Sequence, residues 1–295
     1  MNNNMKFKTI AVATDLSDAT SSALRYAQAI ARLHGSTLVV VHVVDPLGYA
    51  FPNGAPSSLV AYQAAREELA KIESGARNHG IPVHSVVETG IVFERILQAV
   101  NDHHADLLVL GTRAKSKAGR VALGTVARQL LAKAPCPIMA VSPDVDATLA
   151  YAGRWPCVLA AADFSGPSLS ALQTAHQMAH SQLVALHVSQ STGHHACSNC
   201  LERLRFLTPF NESHTVPVEH IVAAGEPGQL ITEYAHRFHA DLVVLGSPEN
   251  ELTEEDFPSS TVLEVISSVT CPVLCVPPVR KMPYIETIEE EAVKC

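Results

Sequence analysis

A basic, glycine-containing loop has the clearest chemical potential in this sequence: residues 111–125 read GTRAKSKAGRVALGT. The loop lies between an apolar run at 105–110 and a helical pattern at 124–133. The exposed N–H groups at a helix start and the positive end of the helix dipole together bind anions. Four cations in the loop add charge-assisted contacts to phosphate: Arg113, Lys115, Lys117 and Arg120. The pattern predicts a phosphate-binding loop, with a solvated surface turn as the alternative.

A carboxylate follows the first apolar run in each half of the chain, at Asp15 and at Asp163. Side chains at the carboxyl ends of strands in an open α/β sheet face the edge where ligands bind. A carboxylate at that edge can accept a hydrogen bond from an adenine amine or a ribose hydroxyl. The Asp-x-Ser sequences at 15–17 and 163–165 can equally cap the helix that follows. The sequence leaves both interpretations open.

A third group of candidate ligands is the run from His194 to Cys200, HHACSNC, predicted as a loop after the second strand of the second half. Two thiols at Cys-x-x-Cys spacing beside two histidines suit zinc, and thiols of low pKa suit redox exchange. The sequence has no second Cys-x-x-Cys pair, so a tetrahedral site would need both histidines or more distant ligands. The alternatives are a variable loop, a thiol switch, and a zinc site built on His194, His195, Cys197 and Cys200.

The remaining histidines and cysteines suit packing better than chemistry. We expect His42 and His187 to be packed and hydrogen-bonded at the ends of strands, and Cys136 and Cys271 to be small apolar residues. No Ser-His-Asp or paired-carboxylate arrangement repeats in both halves or clusters around the basic loop. The sequence therefore predicts a binding protein and not an enzyme, with slow ATP hydrolysis as an open alternative.

The elements that position these residues occur twice in the chain. The run from Ala105 to Gly111, ADLLVLG, recurs 135 residues later as ADLVVLG, and the run from Pro135 to Val141 recurs at the same offset. The first apolar run, which begins at Ile10, recurs 148 residues later at Val158. Two copies of this size are duplicated domains and not short repeats of a solenoid. We predict domains at 1–145 and 155–280, a linker at 142–156, and an acidic tail at 281–295.

Apolar runs alternate with helical patterns inside each copy. In the first copy the predicted strands are at 8–14, 37–44, 83–87, 105–110 and 137–141, and the predicted helices are at 18–34, 58–79, 91–103 and 124–133. In the second copy the predicted strands are at 157–162, 183–189, 218–222, 240–245 and 272–276. Alternation of this kind predicts an α/β fold: an open parallel sheet of five strands in each domain, covered by helices on both faces.

Composition and charge limit the class of protein further. The chain has 295 residues, 47% of them hydrophobic, which is enough for a core in each of two domains. A formal net charge of -8 argues against binding to nucleic acid or to an anionic membrane surface. No apolar run approaches the ~20 residues needed to span a bilayer, and the N-terminus leads into a strand. We therefore expect a soluble cytoplasmic protein whose seven cysteines are thiols or metal ligands.

The order of these motifs resembles the universal stress protein family over nearly the whole chain, twice. The matching features are Asp-x-Ser after the first strand, His-Val in the second, ADLLVLG, the basic loop, Gly-Thr, and Ala-Pro-Cys-Pro-Ile. The resemblance implies strand order 3-2-1-4-5 in each domain. The last strand of each copy, at 138–141 and 273–276, would then be an apolar edge that must be covered. We expect these edges to pair antiparallel as an internal pseudo-dimer, and two such chains to form a homodimer.

The resemblance also implies an adenine nucleotide, ATP, ADP or AMP, with or without magnesium. Nucleotide-binding members carry Gly, two residues, Gly, nine residues, then Gly-Ser or Gly-Thr; Gly111, Gly124 and Thr125 match, and Ala114 replaces the second glycine. Asp15 and Val43 would face the adenine, and the loop would face the ribose and phosphates. The implied cofactor-binding residues are Ala13, Thr14, Asp15, Val43, Gly111, Thr112, Arg113, Ala114, Lys115, Gly124, Thr125 and Val126.

Departures from this motif separate the two copies. If position 114 needs a left-handed backbone, alanine costs about 1 kcal/mol, or about fivefold in affinity. In the second copy Glu249 and Ser259 replace glycines, and four acids lie between them, each repelling a phosphate charge by about 2 kcal/mol before screening. Three functions follow from the sequence: a stress or signalling module that binds a nucleotide in the first domain, an interaction module without nucleotide, and a metal- or redox-responsive protein.

Overall fold

The computed structural model describes residues 6–46, 58–112, 124–143, 145, 155–189, 194–208, 216–247 and 261–278. Ten strands and eight helices lie within these residues. The strands are β1 (Thr9–Ala13), β2 (Thr37–Val44), β3 (Val83–Thr89), β4 (Leu107–Gly111), β5 (Ile138–Val141), β6 (Trp155–Ala161), β7 (Ala179–Ser189), β8 (Val218–Ala224), β9 (Leu242–Gly246) and β10 (Val273–Val276). The helices are α1 (Asp18–His34), α2 (Ser58–Asn78), α3 (Val92–Asp102), α4 (Thr125–Lys133), α5 (Gly166–Met178), α6 (His194–Leu207), α7 (Pro227–Arg237) and α8 (Thr261–Ser268).

All ten strands form one sheet in the order β3-β2-β1-β4-β5-β10-β9-β6-β7-β8. Neighbouring strands within each copy are parallel, as the alternation of strands and helices predicts. The two copies meet at β5 and β10, which pair antiparallel with Leu274 opposite Met139. The structure confirms the predicted order 3-2-1-4-5 in each copy and the antiparallel pairing of the two last strands.

Strands with apolar residues at consecutive positions bury both faces of the sheet, because successive side chains point to opposite faces. In β4, Leu107 and Val109 belong to one core, which also contains buried residues of α1, α2, α5 and α6. Leu108 and Leu110 belong to the other core, which contains residues of α3, α4, α7 and α8. Each core contains residues from both copies, so the duplicated halves share their interior.

The segment between the copies is tied to α1 at both of its ends. Ser22 Oγ donates a hydrogen bond to the Pro143 carbonyl at 2.8 Å, and the Trp155 indole N–H donates to Tyr26 Oη at 2.8 Å. Tyr26 and Trp155 are both buried. The predicted linker was wrong at its end, because Trp155 and Pro156 belong to β6. Burial of the large Trp155 side chain favours strand structure there over a solvated connection.

Among the described helices, no helix is both long enough and apolar enough to span a membrane.

Candidate functional site

The site predicted in the first domain lies at the carboxyl ends of three neighbouring strands. Ala13 of β1 pairs with Val41 of β2 and with Leu110 of β4, so these strands end in register. Asp15, Val43 and Thr112 each follow one of these three paired residues by two positions. The chain proceeds from β1 to β2 on one side, and β4 lies on the other, which makes this edge the topological switch point. The structure therefore brings Asp15, Val43 and Thr112 to one edge.

Asp15 holds the turn that connects β1 to α1. Its Oδ1 accepts hydrogen bonds from the Ser17 N–H at 2.9 Å and from the Ser17 hydroxyl, and Thr20 Oγ1 lies 3.1 Å away. Leu16, inside the turn, has a left-handed backbone with φ of 60°. The second domain repeats the turn, since Asp163 Oδ1 accepts from the Ser165 N–H at 2.9 Å. Both carboxylates thus shape the loop that borders the switch point.

A second set of hydrogen bonds fixes the end of β1 against β2. Thr14 is buried, its Oγ1 accepts from the Leu16 N–H at 3.0 Å, and its N–H donates to the Val41 carbonyl at 3.0 Å. His42 Nδ1 lies 2.9 Å from the Thr14 carbonyl, and because a carbonyl accepts, Nδ1 carries the proton. His187 makes the same contact with Ala162 at 2.8 Å. The expectation that both histidines are packed and hydrogen-bonded is confirmed.

Three of the predicted residues form an apolar floor beside this turn. Ala13, Val43 and Val126 are partly buried and pack against the core under α3 and α4. Ala13 ends β1, Val43 lies near the end of β2, and Val126 is in the first turn of α4. An apolar floor with polar groups at its border suits the face of a planar aromatic ligand.

Thr112 is one of the implied cofactor-binding residues, and the structure adds the environment of its hydroxyl group, which the sequence did not reveal. Its side chain is 2% exposed, its N–H donates to the Val141 carbonyl at 3.1 Å, and its Oγ1 has no hydrogen-bond partner among the described residues. A buried hydroxyl without a partner costs free energy, so such a group calls for an explanation. Its position, at the start of the β4–α4 connection, makes it a candidate ligand-binding group.

The other end of that connection is the N-terminus of α4. Gly124 is the N-cap with extended backbone, φ -63° and ψ 156°, and within the described residues no side chain caps the helix. The first turn of α4 has no acidic residue. The amides and dipole of the helix start therefore meet no carboxylate of that turn, which suits an anion.

The basic loop between these two ends lies outside the described residues. The predicted roles of Arg113, Ala114 and Lys115, and those of Lys117 and Arg120, therefore stay predictions. The acidic loop of the second domain, at 248–260, also lies outside the described residues.

The corresponding edge of the second domain is closely packed around Gly246 and Phe164. A Cβ added to Gly246 would lie 2.7 Å from the Pro167 carbonyl carbon and 2.7 Å from the Ser168 nitrogen. This first glycine of the repeated motif is therefore required by the close approach of α5 to the end of β9. Phe164 lies against His187 with ring centroids 4.5 Å apart, and Arg203 Cζ lies 4.4 Å from the Phe164 ring.

Asp163 is ionised more readily than an ordinary carboxyl group. Burial opposes the charged form, but hydrogen bonds from Ser165 and Ser168 outweigh it and hold the pKa of Asp163 below its usual value. The Asp163 carboxylate is thus stabilised in its charged form by hydrogen bonds from its own turn.

The candidate metal ligands begin a helix. The prediction of a loop was wrong, because α6 starts at His194 and contains the whole run to Cys200. Positions 197 and 200 are three residues apart, which places them on neighbouring turns of one helix face. Side chains of residues 194–198 lie outside the described part, and the side chains that are described contain no cluster of three or more metal-binding groups. The zinc site stays a prediction.

Two thiols expected to be packed are confirmed as such. Burial raises the pKa of the Cys136 thiol to about 12, and it raises the pKa of the Cys271 thiol to about 12. Neither forms a disulfide. Thiols of such high pKa are poor nucleophiles at neutral pH.

The structure is a duplicated α/β fold whose two parallel halves join at β5 and β10. The sequence model described as the Universal stress protein family matches residues 6–142 and 201–277. The chain therefore belongs to the universal stress protein family.

Individual relatives show how the duplication relates to the family. A universal stress protein of Thermus aquaticus is 35% identical over 136 residues, which are 46% of this chain and 98% of that protein. A universal stress protein of Methanocaldococcus jannaschii is 28% identical over 142 residues, 46% of this chain and 82% of that protein. The crystal structure of a universal stress protein from Archaeoglobus fulgidus has a TM-score of 0.70 at 20% identity and covers 92% of this chain and 98% of its own. This last similarity shows that the fold of both copies together has a solved counterpart.

Proposed function

We propose that the first domain binds an adenine nucleotide, ATP, ADP or AMP, and that the protein is a nucleotide-responsive stress or signalling module. The observation that carries the proposal is the Thr112 hydroxyl, which is buried at the switch-point edge without a partner among the described residues. It begins the connection whose other end is the N-terminus of α4. Binding, and not catalysis, is the activity proposed.

We propose that each group binds a different part of the nucleotide. The base lies on the apolar floor of Ala13, Val43 and Val126, beside the Asp15 turn. The phosphates lie at the N-terminus of α4, where backbone amides and the helix dipole favour negative charge. Cations of the basic loop supply charge-assisted hydrogen bonds, with or without magnesium.

Only one nucleotide per chain is proposed. In the second domain Pro167 and Ser168 occupy the space beside Gly246, and the following loop is acidic in sequence. Carboxylates near a phosphate repel it.

Calorimetry and thermal shift with Mg·ATP test the proposal. We expect one site per chain and a rise in Tm, since a ligand at a hundred times its Kd stabilises by about 2.7 kcal/mol. Gly124→Glu places a carboxylate at the helix start and should abolish the shift. Ser259→Glu, the matched change in the second domain, should leave it intact. No wild-type shift at millimolar ATP would contradict the proposal and favour an interaction module without nucleotide.

Thr112→Val tests the single group on which the proposal depends. Valine keeps the shape and removes the hydroxyl, so the Tm without ligand should not fall, because no hydrogen bond among the described residues is lost. Affinity for ATP should fall about tenfold if the hydroxyl binds the ligand. The matched control is Ser247→Ala at the corresponding position of the second domain, where ATP affinity should stay unchanged. A lower Tm without ligand, at unchanged affinity, would mean that the hydroxyl is structural.

A further inference from the structure

The β5–β10 junction has two ends that are related by pseudo-twofold symmetry. The first end lies where β5 ends beside α1, and the second end lies where β10 ends beside α5. The two ends are packed differently. The N-caps Ser17 of α1 and Ser165 of α5 align the two helices, and Ala23 and Ala171 are fully buried at the same place in each. By this alignment Tyr26 of the first domain corresponds to Thr174 of the second. At equivalent positions, the first end of the junction thus has a large side chain and the second end has a small one.

The first end is filled. Tyr26 is 1% exposed and its hydroxyl accepts a hydrogen bond from the Trp155 indole. The Ser22 hydroxyl of α1 donates to the Pro143 carbonyl at 2.8 Å. Pro143 is the second residue after β5. The exit of the last strand is therefore packed against the first helix of its own domain.

The second end contains a cavity of about 310 Å³. Its walls are Pro135 and Pro137 of the first domain, Gln173, Thr174 and Gln177 of α5, and Pro278. Pro278 is the second residue after β10 and so corresponds to Pro143. Ser170, which corresponds to Ser22, donates to the Gly166 carbonyl of its own helix at 3.2 Å and not to the exiting chain. Among the described residues, the second end has no large side chain equivalent to Tyr26 and no hydrogen bond equivalent to that between Ser22 and Pro143.

We propose that this cavity binds the segment of the chain that follows Pro278, with the Tyr284 side chain in the place that Tyr26 occupies at the first end. The described chain stops at the cavity wall, and residues 279–295 continue from it. Tyr284 is the one aromatic residue of that segment in the sequence. It follows Pro278 by six residues, which span up to about 20 Å when extended and so reach any part of the cavity.

The chemistry of the walls matches a tyrosine. A phenol buries an apolar ring and needs a hydrogen-bond partner for its hydroxyl, which Trp155 provides for Tyr26. Gln173 and Gln177 offer amide donors and acceptors at the second end, and the prolines and Val276 offer apolar surface for the ring. Met282 and Ile285 beside Tyr284 add apolar side chains to the same segment. The C-terminal segment would thereby occupy the cavity at the second end of the β5–β10 junction.

Amide hydrogen exchange on the full chain, measured by mass spectrometry at low micromolar concentration, tests this inference. We expect the amides of residues 282–286 to exchange at least about tenfold more slowly than free peptide, because burying an aromatic ring is worth more than a factor of ten. Tyr284→Ser should abolish the protection, and it leaves the described residues of the cavity wall unchanged. Thr174→Tyr should displace the segment by filling the cavity as Tyr26 fills the first end.

Ile288→Ser is the matched control, because it removes an apolar residue of the tail beyond the binding segment and should keep the protection. The inference is overturned if the wild-type segment exchanges like free peptide, or if Tyr284→Ser leaves its protection unchanged. Protection that disappears on dilution would also overturn it, since the occupant would then be the tail of a second copy.

Discussion

At the scale of single residues, the imidazole of His34 ties the start of β1 to the end of α1. The Phe7 N–H donates to His34 Nδ1 at 3.1 Å, and the two rings stack with centroids 5.5 Å apart. Nδ1 can accept this bond only when it carries no proton. Burial and the nearby Lys6 lower the pKa of His34, against the opposing effect of Asp106. The folded protein therefore keeps His34 neutral at a pH where the unfolded chain would protonate it.

This histidine makes stability fall in mild acid. Below about pH 6.5 the unfolded state binds a proton that the folded state does not, so the free energy of unfolding decreases as pH falls. His34→Asn keeps an acceptor near the Phe7 N–H but does not titrate, so its stability should depend less on pH. Urea unfolding between about pH 8 and about pH 5 measures both slopes.

His220, whose pKa burial also lowers, should leave the His34→Asn variant a residual slope. Equal slopes in the wild type and the variant would show that His34 does not contribute to the acid sensitivity.

At the scale of elements, the contact between α5 and the end of β9 requires glycine at position 246. Gly246→Ala would push Pro167 and Ser168 away from the end of β9, at a cost of about 1–3 kcal/mol. Gly75, inside α2, has no atom within 4 Å of an added Cβ, so Gly75→Ala should stabilise by about 0.5–1 kcal/mol through helix propensity. Chemical denaturation of both variants measures the difference. A neutral Gly246→Ala would mean that the α5 contact relaxes without cost.

The elements of the first domain could be predicted because its buried strands are apolar at consecutive positions, as at 37–44, where prediction and structure agree. The start of β7 at Ala179 could not be predicted. Its first four residues include the polar residues His180, Ser181 and Gln182, which interrupt the apolar pattern. The start of α6 was missed for a similar reason. Its first two turns contain His, Cys, Ser and Asn, which are modest helix formers, and the helix is stabilised further along by buried Leu204.

The edge of the candidate site was predictable for a topological reason, because residues after parallel strands meet at one edge. Its details were not. The left-handed turn residues Leu16 and Phe164 are not glycines, so no local signal marks them. The buried Thr112 hydroxyl depends on how β4 ends against β5, which is a tertiary contact.

At the scale of the whole molecule, the shared sheet and shared cores make the two domains one cooperative unit. Trp155→Phe should cost about 1–3 kcal/mol because it leaves the buried Tyr26 hydroxyl without its donor. Tyr26→Phe should cost a similar amount, and the double variant should cost less than the sum of the two. Calorimetry should show a single transition in all four proteins. Two resolved transitions would mean that the domains unfold independently, and additive effects would mean that the Trp155–Tyr26 hydrogen bond contributes no coupling energy.

The antiparallel pairing of β5 with β10 also gives the molecule two opposite poles. The carboxyl ends of the first domain's strands point toward one pole, and those of the second domain's strands point toward the other. A ligand at one of these edges would therefore lie on the opposite side of the molecule from a ligand at the other edge. The Trp155–Tyr26 hydrogen bond joins the two halves beside the β5–β10 junction.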